Sequence, residues 1–432
     1  MDIDVPLNPS TSEDKHRLSI LEGNENNMPS SCDTRKTPLT GAEYLSLNNS
    51  RKRYSDFNDD HASMSMDISD NIRLKPDIVT FARTPGIYKY RRRVSTEPKI
   101  DFFSVFNIPT HVIHVIFSFL NKKDLVNAMS TCCRFYVAGL TAPNWMRLDL
   151  YQRTIPENTL LNLLSRKTRV ARLSETMITP SIRNASFFTT NTEPLTFMLT
   201  HLDIGRASFP SIDGLITILS ACRKLKALSL ESQSLDDDGL ICEAISMNRD
   251  LDCLDLSMVS GFDLRGIEAI CIGCRKLRFL NMSWVGLGRD CIASLCRHLP
   301  DTITHLNLSG SKDRNSISDQ DVESLCASCP SIVECDLSDN VSITDVGLEA
   351  ILGLENLQVL SLSRCYGIDP FNFMSCGHLH QLNIFGTMTE DGERVLKLTL
   401  PGTQINTSVF NHIAKPTVPP SVSSIWNQKT RD

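Results

Sequence analysis

The chain has 432 residues, 44 Lys plus Arg against 50 Asp plus Glu, and a formal net charge of -6. It is long enough to bury a sizeable core, and its acidic balance gives no global attraction to nucleic acid. Met1 to Asn27 holds no apolar signal-peptide core, no run of about 18 apolar residues could span a bilayer, and 15 cysteines, an odd number, suit reduced thiols better than a secreted disulfide framework.

Residues 1 to 99 are rich in Ser, Asn, Asp and Pro without a sustained apolar period, so they cannot offset the entropy lost on folding. They read as a disordered regulatory arm. Its basic clusters, Arg51-Lys52-Arg53 and Lys89-Tyr90-Arg91-Arg92-Arg93, are import signals or solvated charge. Thr37-Pro38 and Thr84-Pro85 would suit proline-directed kinases or are commonplace dipeptides.

From Phe102 to Trp145 apolar residues fall at helical spacing in three short runs: Val112 to Leu120, Asp124 to Phe135, and a piece approaching Trp145. Pro109 and Thr110 can start the first helix, Asn121 can end it, and Lys122, Lys123 and Asp124 form the next start. The stretch "IPTHVIHVIFSFL", Ile108 to Leu120, is apolar over most of its surface. His111 and His114 have no carboxylate or cysteine partner nearby in sequence and read as surface or interface residues. A helical unit of about forty residues is too small to bury all these side chains alone, so they read as a docking face for another chain, or as an amino-terminal cap on the rest of the chain where they meet Trp145.

Beyond Trp145 the chain repeats. "LTHLDI" (199), "LKALSL" (225), "LDCLDL" (251), "LRFLNM" (277), "ITHLNL" (303), "IVECDL" (332), "LQVLSL" (357) and "LHQLNI" (379) share the pattern LxxLxL, with starts 22 to 29 residues apart. Weaker units at "WMRLDL" (145) and "VARLSE" (170) bring the array to about ten. Each strand is followed by a helix-like segment such as "ITDVGLEAIL" (343 to 352). The expected fold class is α/β: an amino-terminal helical unit at 102–147, then a leucine-rich-repeat horseshoe at 148–400 with parallel strands on its concave face. Residues 401–432 form a tail whose spaced apolar residues, Phe410, Ile413, Val422, Ile425 and Trp426, would pack it against the horseshoe.

Catalytic machinery is not visible: no phosphate-binding glycine loop, HExxH, GxSxG or kinase set occurs. Cys271-Cys274 and Cys326-Cys329 could supply four thiolates to zinc, making a metalloenzyme conceivable, but their repeat positions explain them as core thiols. The expectation is no metal and no cofactor. Asn281, Asn307 and Asn340 open sequons only because strands end in Asn-Leu-Ser-like residues.

On these strands the fourth and sixth side chains point inward and the third, fifth and seventh onto the concave sheet. The fifth positions read Asp203, Ser229, Asp255, Asn281, Asn307, Asp336, Ser361, Asn383, a polar and acidic ladder that disfavours RNA or DNA. The eighth, at the strand exit, read Arg206, Ser232, Met258, Trp284, Gly310, Asp339, Arg364, Gly386. With strands about 5 Å apart, Asp339 and Arg364 can pair. Trp284, two units away, is an interface anchor or folds back onto a neighbouring unit.

Residues 106 to 150, with Ile-Pro opening a first helix, Ile-Phe-Ser-x-Leu, Arg134-Phe135-Tyr136 and a later Trp, resemble an F-box. "LNMSWVGL", "THLNLSGS", "CDLSDNVSIT", "LSLSRCYGI" and "INTSVFNHIAKPT" resemble, in order, the S-phase kinase-associated F-box protein family. The F-box departs from the usual pattern at Thr110-His111 and at Arg134-Phe135, and the repeats depart at Val285, after the repeat Trp. The resemblance implies a noncatalytic substrate receptor of an SCF ubiquitin ligase in nucleus and cytoplasm. Its apolar face, Ile108, Pro109, Val112, Ile116, Phe117, Leu120 and Leu125, would bind an SKP-type adaptor and through it a cullin. It also implies that the tail runs back along the concave face, and that Trp284, Asp339, Arg364 and Tyr366 contact a Cks-type cyclin-dependent-kinase regulatory subunit or the phosphorylated substrate, a kinase inhibitor. The other class of function is a noncatalytic repeat scaffold or inhibitor outside the ubiquitin system.

Overall fold

The computed structural model describes residues 108–180, 195–235, 239–310, 317–418 and 423–430, all belonging to one unit, Leu74–Asp432. The arm, its basic clusters, both Thr-Pro sites and Val422 lie outside the described residues. Pro109, extended at φ -62° and ψ 146°, leads into α1 (Thr110–Ser118). Asn121 caps α2 (Lys122–Met129) by accepting from Asp124 N at 2.9 Å.

The expected second run, Asp124 to Phe135, is broken. The hydroxyls of Ser130 and Thr131 donate back to the carbonyls of Val126 and Ala128 at 2.9 and 2.7 Å, and Cys132 is extended, so a separate α3 (Cys133–Gly139) begins. A Cβ on Gly139 would collide with the Met129 side chain, so the absence of one lets α2 and α3 meet. A 3-10 turn, Ala142–Trp145, comes next, and Trp145 Nε1 donates to Gly139 O at 2.7 Å.

The repeats then run β1 (Arg147–Asp149), β2 (Thr154–Pro156), α4 (Glu157–Leu164), β3 (Val170–Arg172), β4 (Met177–Thr179), β5 (His201–Asp203), α5 (Ile212–Ser220) and β6 (Ala227–Ser229). They continue with α6 (Leu240–Ser246), β7 (Cys253–Asp255), α7 (Leu264–Gly273), β8 (Phe279–Asn281), α8 (Arg289–His298), β9 (His305–Asn307), α9 (Asp319–Ser328), β10 (Glu334–Asp336) and α10 (Asp345–Leu352). The array closes with β11 (Val359–Ser361), a 3-10 segment Pro370–Cys376, β12 (Gln381–Asn383), α11 (Glu390–Thr399) and β13 (Gln404–Ile405). The 22-residue unit that starts at Leu357 thus has a 3-10 segment opened by Pro370 in place of an α-helix.

Eleven of these strands form one parallel sheet in the order β1, β3, then β5 to β13. Leu202, Leu228, Leu254, Leu280, Leu306, Cys335, Leu360 and Leu382, all fourth-position residues, are buried in one continuous core with their sixth-position partners. A single unit could not shield these side chains, and stacking does. The unit assigned to "VARLSE" is in a different register: Val170 pairs with His201, a third-position residue, so the unit starts at Thr168.

The fifth-position ladder is corrected as well. All eight residues are buried, although Asp255 and Asn281 do face the concave side, where they meet Lys415 and Ile413 of the tail. Asp203, Asp255, Asn281, Asn307 and Asp336 each accept from the backbone N–H two residues on, at 2.9 to 3.2 Å. Their polarity serves the turn that ends each strand.

The tail returns along the concave face. Asn411 donates to Glu334 at 3.2 Å, Asn281 to Ile413 O at 3.1 Å, and Thr430 to Asp149 at 3.1 Å, so the chain retraces the sheet from β10 to β1. Ile413 and Ile425 are buried, and Trp426 is half-buried in the small hairpin of β14 (Ser424–Ile425) and β15 (Gln428–Lys429). Phe410, expected as an anchor, is exposed.

Candidate functional site

The helical unit has two apolar stripes. Ile113 and Phe117, one helical turn apart, point into the core with Leu125 and Met129, where Phe117 meets Phe135 edge-on at 5.2 Å. Phe117 and Leu125 are therefore packing residues, not docking residues as expected: at 3% and 1% exposure they have no surface to offer. The opposite stripe is open. Val112 and Ile116 stand on it, as expected, together with Val115 and Phe119, which the sequence pattern did not single out; Phe119 is 84% exposed, and on α3 Val137 is exposed too. Pro109 is exposed, and Ile108 and Leu120 are half-buried at its border. Arg134 donates to the Ile108 carbonyl and ties the chain entering α1 to α3.

Thr110, His111, His114 and Ser118 take the remaining, polar face of α1. Among the described residues its own unit covers the Ile113 and Phe117 stripe and leaves the second apolar stripe open.

The second surface is the rim where strands exit. Every eighth-position residue is left-handed, from Arg206 (φ 56°) through Trp284 (58°), Gly310 (70°), Asp339 (65°) and Arg364 (59°) to Gly386 (73°). Their N–H groups still extend the sheet's ladder, as when Trp284 donates to Ser309 O and Asp339 to Ser363 O, both at 2.8 Å. Because all units share it, this strain belongs to the repeat and marks no one site.

Individual side chains mark it instead. A Cβ on Gly310 would lie 2.7 Å from two indole carbons of Trp284, so the ring lies against the next unit and remains 42% exposed. Trp284 thus folds onto the neighbouring unit and still keeps exposed surface. Asp339 holds Arg364 by two bonds, Oδ1 to Nε at 2.5 Å and Oδ2 to Nη2 at 2.6 Å. That hydrogen bonding pushes the guanidinium pKa further above its ordinary value. Tyr366, two residues on, is exposed. Asp339 and Arg364 form one cluster with Tyr366 beside it, and Trp284 stands two strand spacings away, roughly 10 Å along the rim.

The paired cysteines are placed differently. Cys271, Cys274 and Cys329 are buried and Cys326 half-buried in the repeat core. Burial pushes their thiols up, to about 12 for the first three and about 11 for Cys326, as for inert core cysteines. Among the described residues no helix is long and apolar enough to cross a membrane.

A family model described as the SKP2 LRR domain matches residues 158–432, and a model described as F-box-like matches residues 105–151. Among solved structures, the chain is similar to the leucine-rich repeat-containing protein LegL7 from Legionella pneumophila, at 18% identity over 48% of this chain and 73% of that one, TM-score 0.34. It is also similar to an internalin (inlF) from Listeria monocytogenes, at 16% identity over 56% and 76%, TM-score 0.34. A third is the ectodomain of the receptor kinase GASSHO1/SCHENGEN3 from Arabidopsis thaliana, at 16% identity over 59% and 30%, TM-score 0.35. At these scores the three neighbours say nothing of function.

An F-box implies an SKP1-type adaptor and, through it, a cullin. With its repeats matched over 158–432 and the helical unit over 105–151, the chain belongs to the SKP2-like family of F-box and leucine-rich-repeat proteins.

Proposed function

We propose that this protein is the noncatalytic substrate-recognition subunit of an SCF ubiquitin ligase, acting in nucleus and cytoplasm on threonine-phosphorylated cell-cycle regulators such as a cyclin-dependent-kinase inhibitor. The observation that carries the reading is the open apolar stripe of Val112, Val115, Ile116 and Phe119 on an F-box whose other stripe is already packed. Each large apolar side chain moved out of water contributes about 1.5 to 3 kcal/mol, so four of them make a firm contact for an adaptor.

At the other end, Trp284, Asp339, Arg364 and Tyr366 offer an aromatic face, a fixed guanidinium and a phenol to a Cks-type subunit and the phosphorylated segment it helps to hold. The ligase effect is proximity. The horseshoe holds the substrate at a set distance from the adaptor, and the conjugating enzyme supplies the chemistry.

The test is co-purification of the full chain with an SKP-type adaptor, wild type beside a Pro109→Ala, Ile116→Asp double variant that keeps its circular dichroism. Capture by wild type alone is expected. Failure of both would leave a repeat scaffold outside the ubiquitin system as the reading.

A further inference from the structure

The tail segment Asn411 to Pro416 lies in a groove across β6, β7 and β8 with the contacts of a bound peptide. Ile413 and Ala414 are buried against Ala227 and Cys253, with Phe279 and Trp426 packed alongside. The tail does not join the sheet as a strand here. The sheet meets its backbone at two carbonyls: Ile413 O accepts from Asn281 Nδ2 at 3.1 Å, and Ala414 O lies 3.6 Å from the Cys253 thiol; within the tail, the hairpin holds the same segment through Trp426, whose Nε1 donates to Ala414 O at 2.9 Å and whose N–H donates to Pro416 O at 2.8 Å.

Beyond Ala414, Lys415 reaches into the floor. Its Nζ lies 2.5 Å from Ser257 Oγ, 3.5 Å from Asp255 Oδ2 and 3.7 Å from Glu231 Oε1. The Asp255 side chain is fully buried. Lys415 is the cation that the salt bridges of the described residues place against it, and a buried carboxylate demands such a partner.

Each feature selects a residue type. The pocket between Ala227, Cys253 and Phe279 takes one branched apolar side chain. The next residue is left-handed at φ 57° and pressed on Cys253 and Trp426, which leaves room for a small side chain. The acidic pair Asp255 and Glu231 takes a primary ammonium or guanidinium.

We propose that this groove is a peptide-binding site in its own right, that the tail is a tethered ligand occupying it, and that extended protein segments of the pattern branched apolar, small, basic compete for it. The tether gives the tail an effective concentration on the order of millimolar, so a partner enters when the tail is released or when it brings contacts elsewhere on the horseshoe. The inference concerns the inner concave face and stands whether or not the F-box binds an adaptor.

The test uses the full chain and a fluorescein-labelled peptide with the sequence of residues 408–418. In an Ile413→Asp, Lys415→Glu variant the 411–416 segment loses its two anchors, and hydrogen exchange of the 411–418 amides should rise at least tenfold while the repeats and the hairpin that carries Trp426 stay protected. The peptide should then bind this variant at least tenfold more tightly than wild type. Adding Asp255→Asn, or replacing the peptide lysine by Glu, should weaken that binding at least fivefold. A released tail without peptide binding overturns the site, and a tail that stays protected overturns the anchors. The milder Lys415→Gln, expected to raise tail exchange by a smaller factor, keeps the test open if the double variant folds poorly.

Discussion

The indole of Trp284 lies against Gly310, at a separation where a Cβ on residue 310 would approach two ring carbons to 2.7 Å. Gly310 is also left-handed, at φ 70°, a conformation that costs an L-residue roughly 1 to 2 kcal/mol. Gly310→Ala is therefore expected to lower stability by about that amount and to tip the indole off its neighbour. Thermal unfolding reads the first effect and near-ultraviolet circular dichroism the second. If Trp284 serves the rim as proposed, the same variant weakens binding of a Cks-type subunit.

The two stripes of α1 give opposite predictions for adjacent residues. Phe117→Ala empties a core site and should cost about 3 to 5 kcal/mol, visible as a lower unfolding midpoint. Ile116→Asp, one position earlier on the open stripe, should leave the midpoint within about 1 kcal/mol of wild type and abolish adaptor capture. A midpoint loss for Ile116→Asp as large as that for Phe117→Ala would place the open stripe inside the fold.

Much of the architecture was legible because the repeat is a spacing: leucines at the fourth and sixth positions recur until the horseshoe is the one way to bury them. That the tail packs on the horseshoe was legible from its spaced apolar residues, of which Ile413, Ile425 and Trp426 do so and Phe410 does not; its path along the concave face came from the family resemblance. Three things were hidden, each for a physical reason. A helix with two apolar stripes does not say which of them its own domain covers, so Phe117 and Leu125 were exchanged for Val115 and Phe119. The fifth-position ladder shows only its polarity in one dimension, because its second task, accepting the N–H two residues on, emerges only once the strand exit is folded. "VARLSE" contains one strong apolar anchor where its neighbours have two, so its register could slip by two residues.

Asp339 and Arg364 pair at the rim, where the arginine side chain is 48% exposed. Exposed pairs contribute roughly 0 to 1 kcal/mol, so Arg364→Ala should barely move the unfolding midpoint. Its expected consequence is for recognition, with binding of a Cks-type subunit and its phosphopeptide falling at least tenfold. Asp339→Ala, which frees the guanidinium to swing, should give part of that loss. Equal binding by wild type and both variants would remove this cluster from the proposed interface.

Asp203 yields a prediction in pH. Burial raises its carboxyl from an ordinary value of 3.8 to about 6, with hydrogen bonds from Gly205 and Ser174 and the charge of Arg172 pulling part of the way back. Because the folded pKa is the higher one, the folded chain holds a proton that the unfolded chain has released between those values. Asp203 therefore lowers stability as pH rises from about 4 to about 6, and its full cost is present above that window. A separation of this size corresponds to on the order of 3 kcal/mol. Asp203→Asn keeps the acceptor for Gly205 N, as Asn281, Asn307 and Asn383 occupy the same repeat position without a charge. The variant is expected to be more stable than wild type at pH 7, by an amount that shrinks toward zero as pH falls from 6 to 4. Urea unfolding across that range measures it. An unchanged difference between the two proteins at pH 4 and pH 7 would show that this carboxylate is stabilised in the fold as well as it is in water.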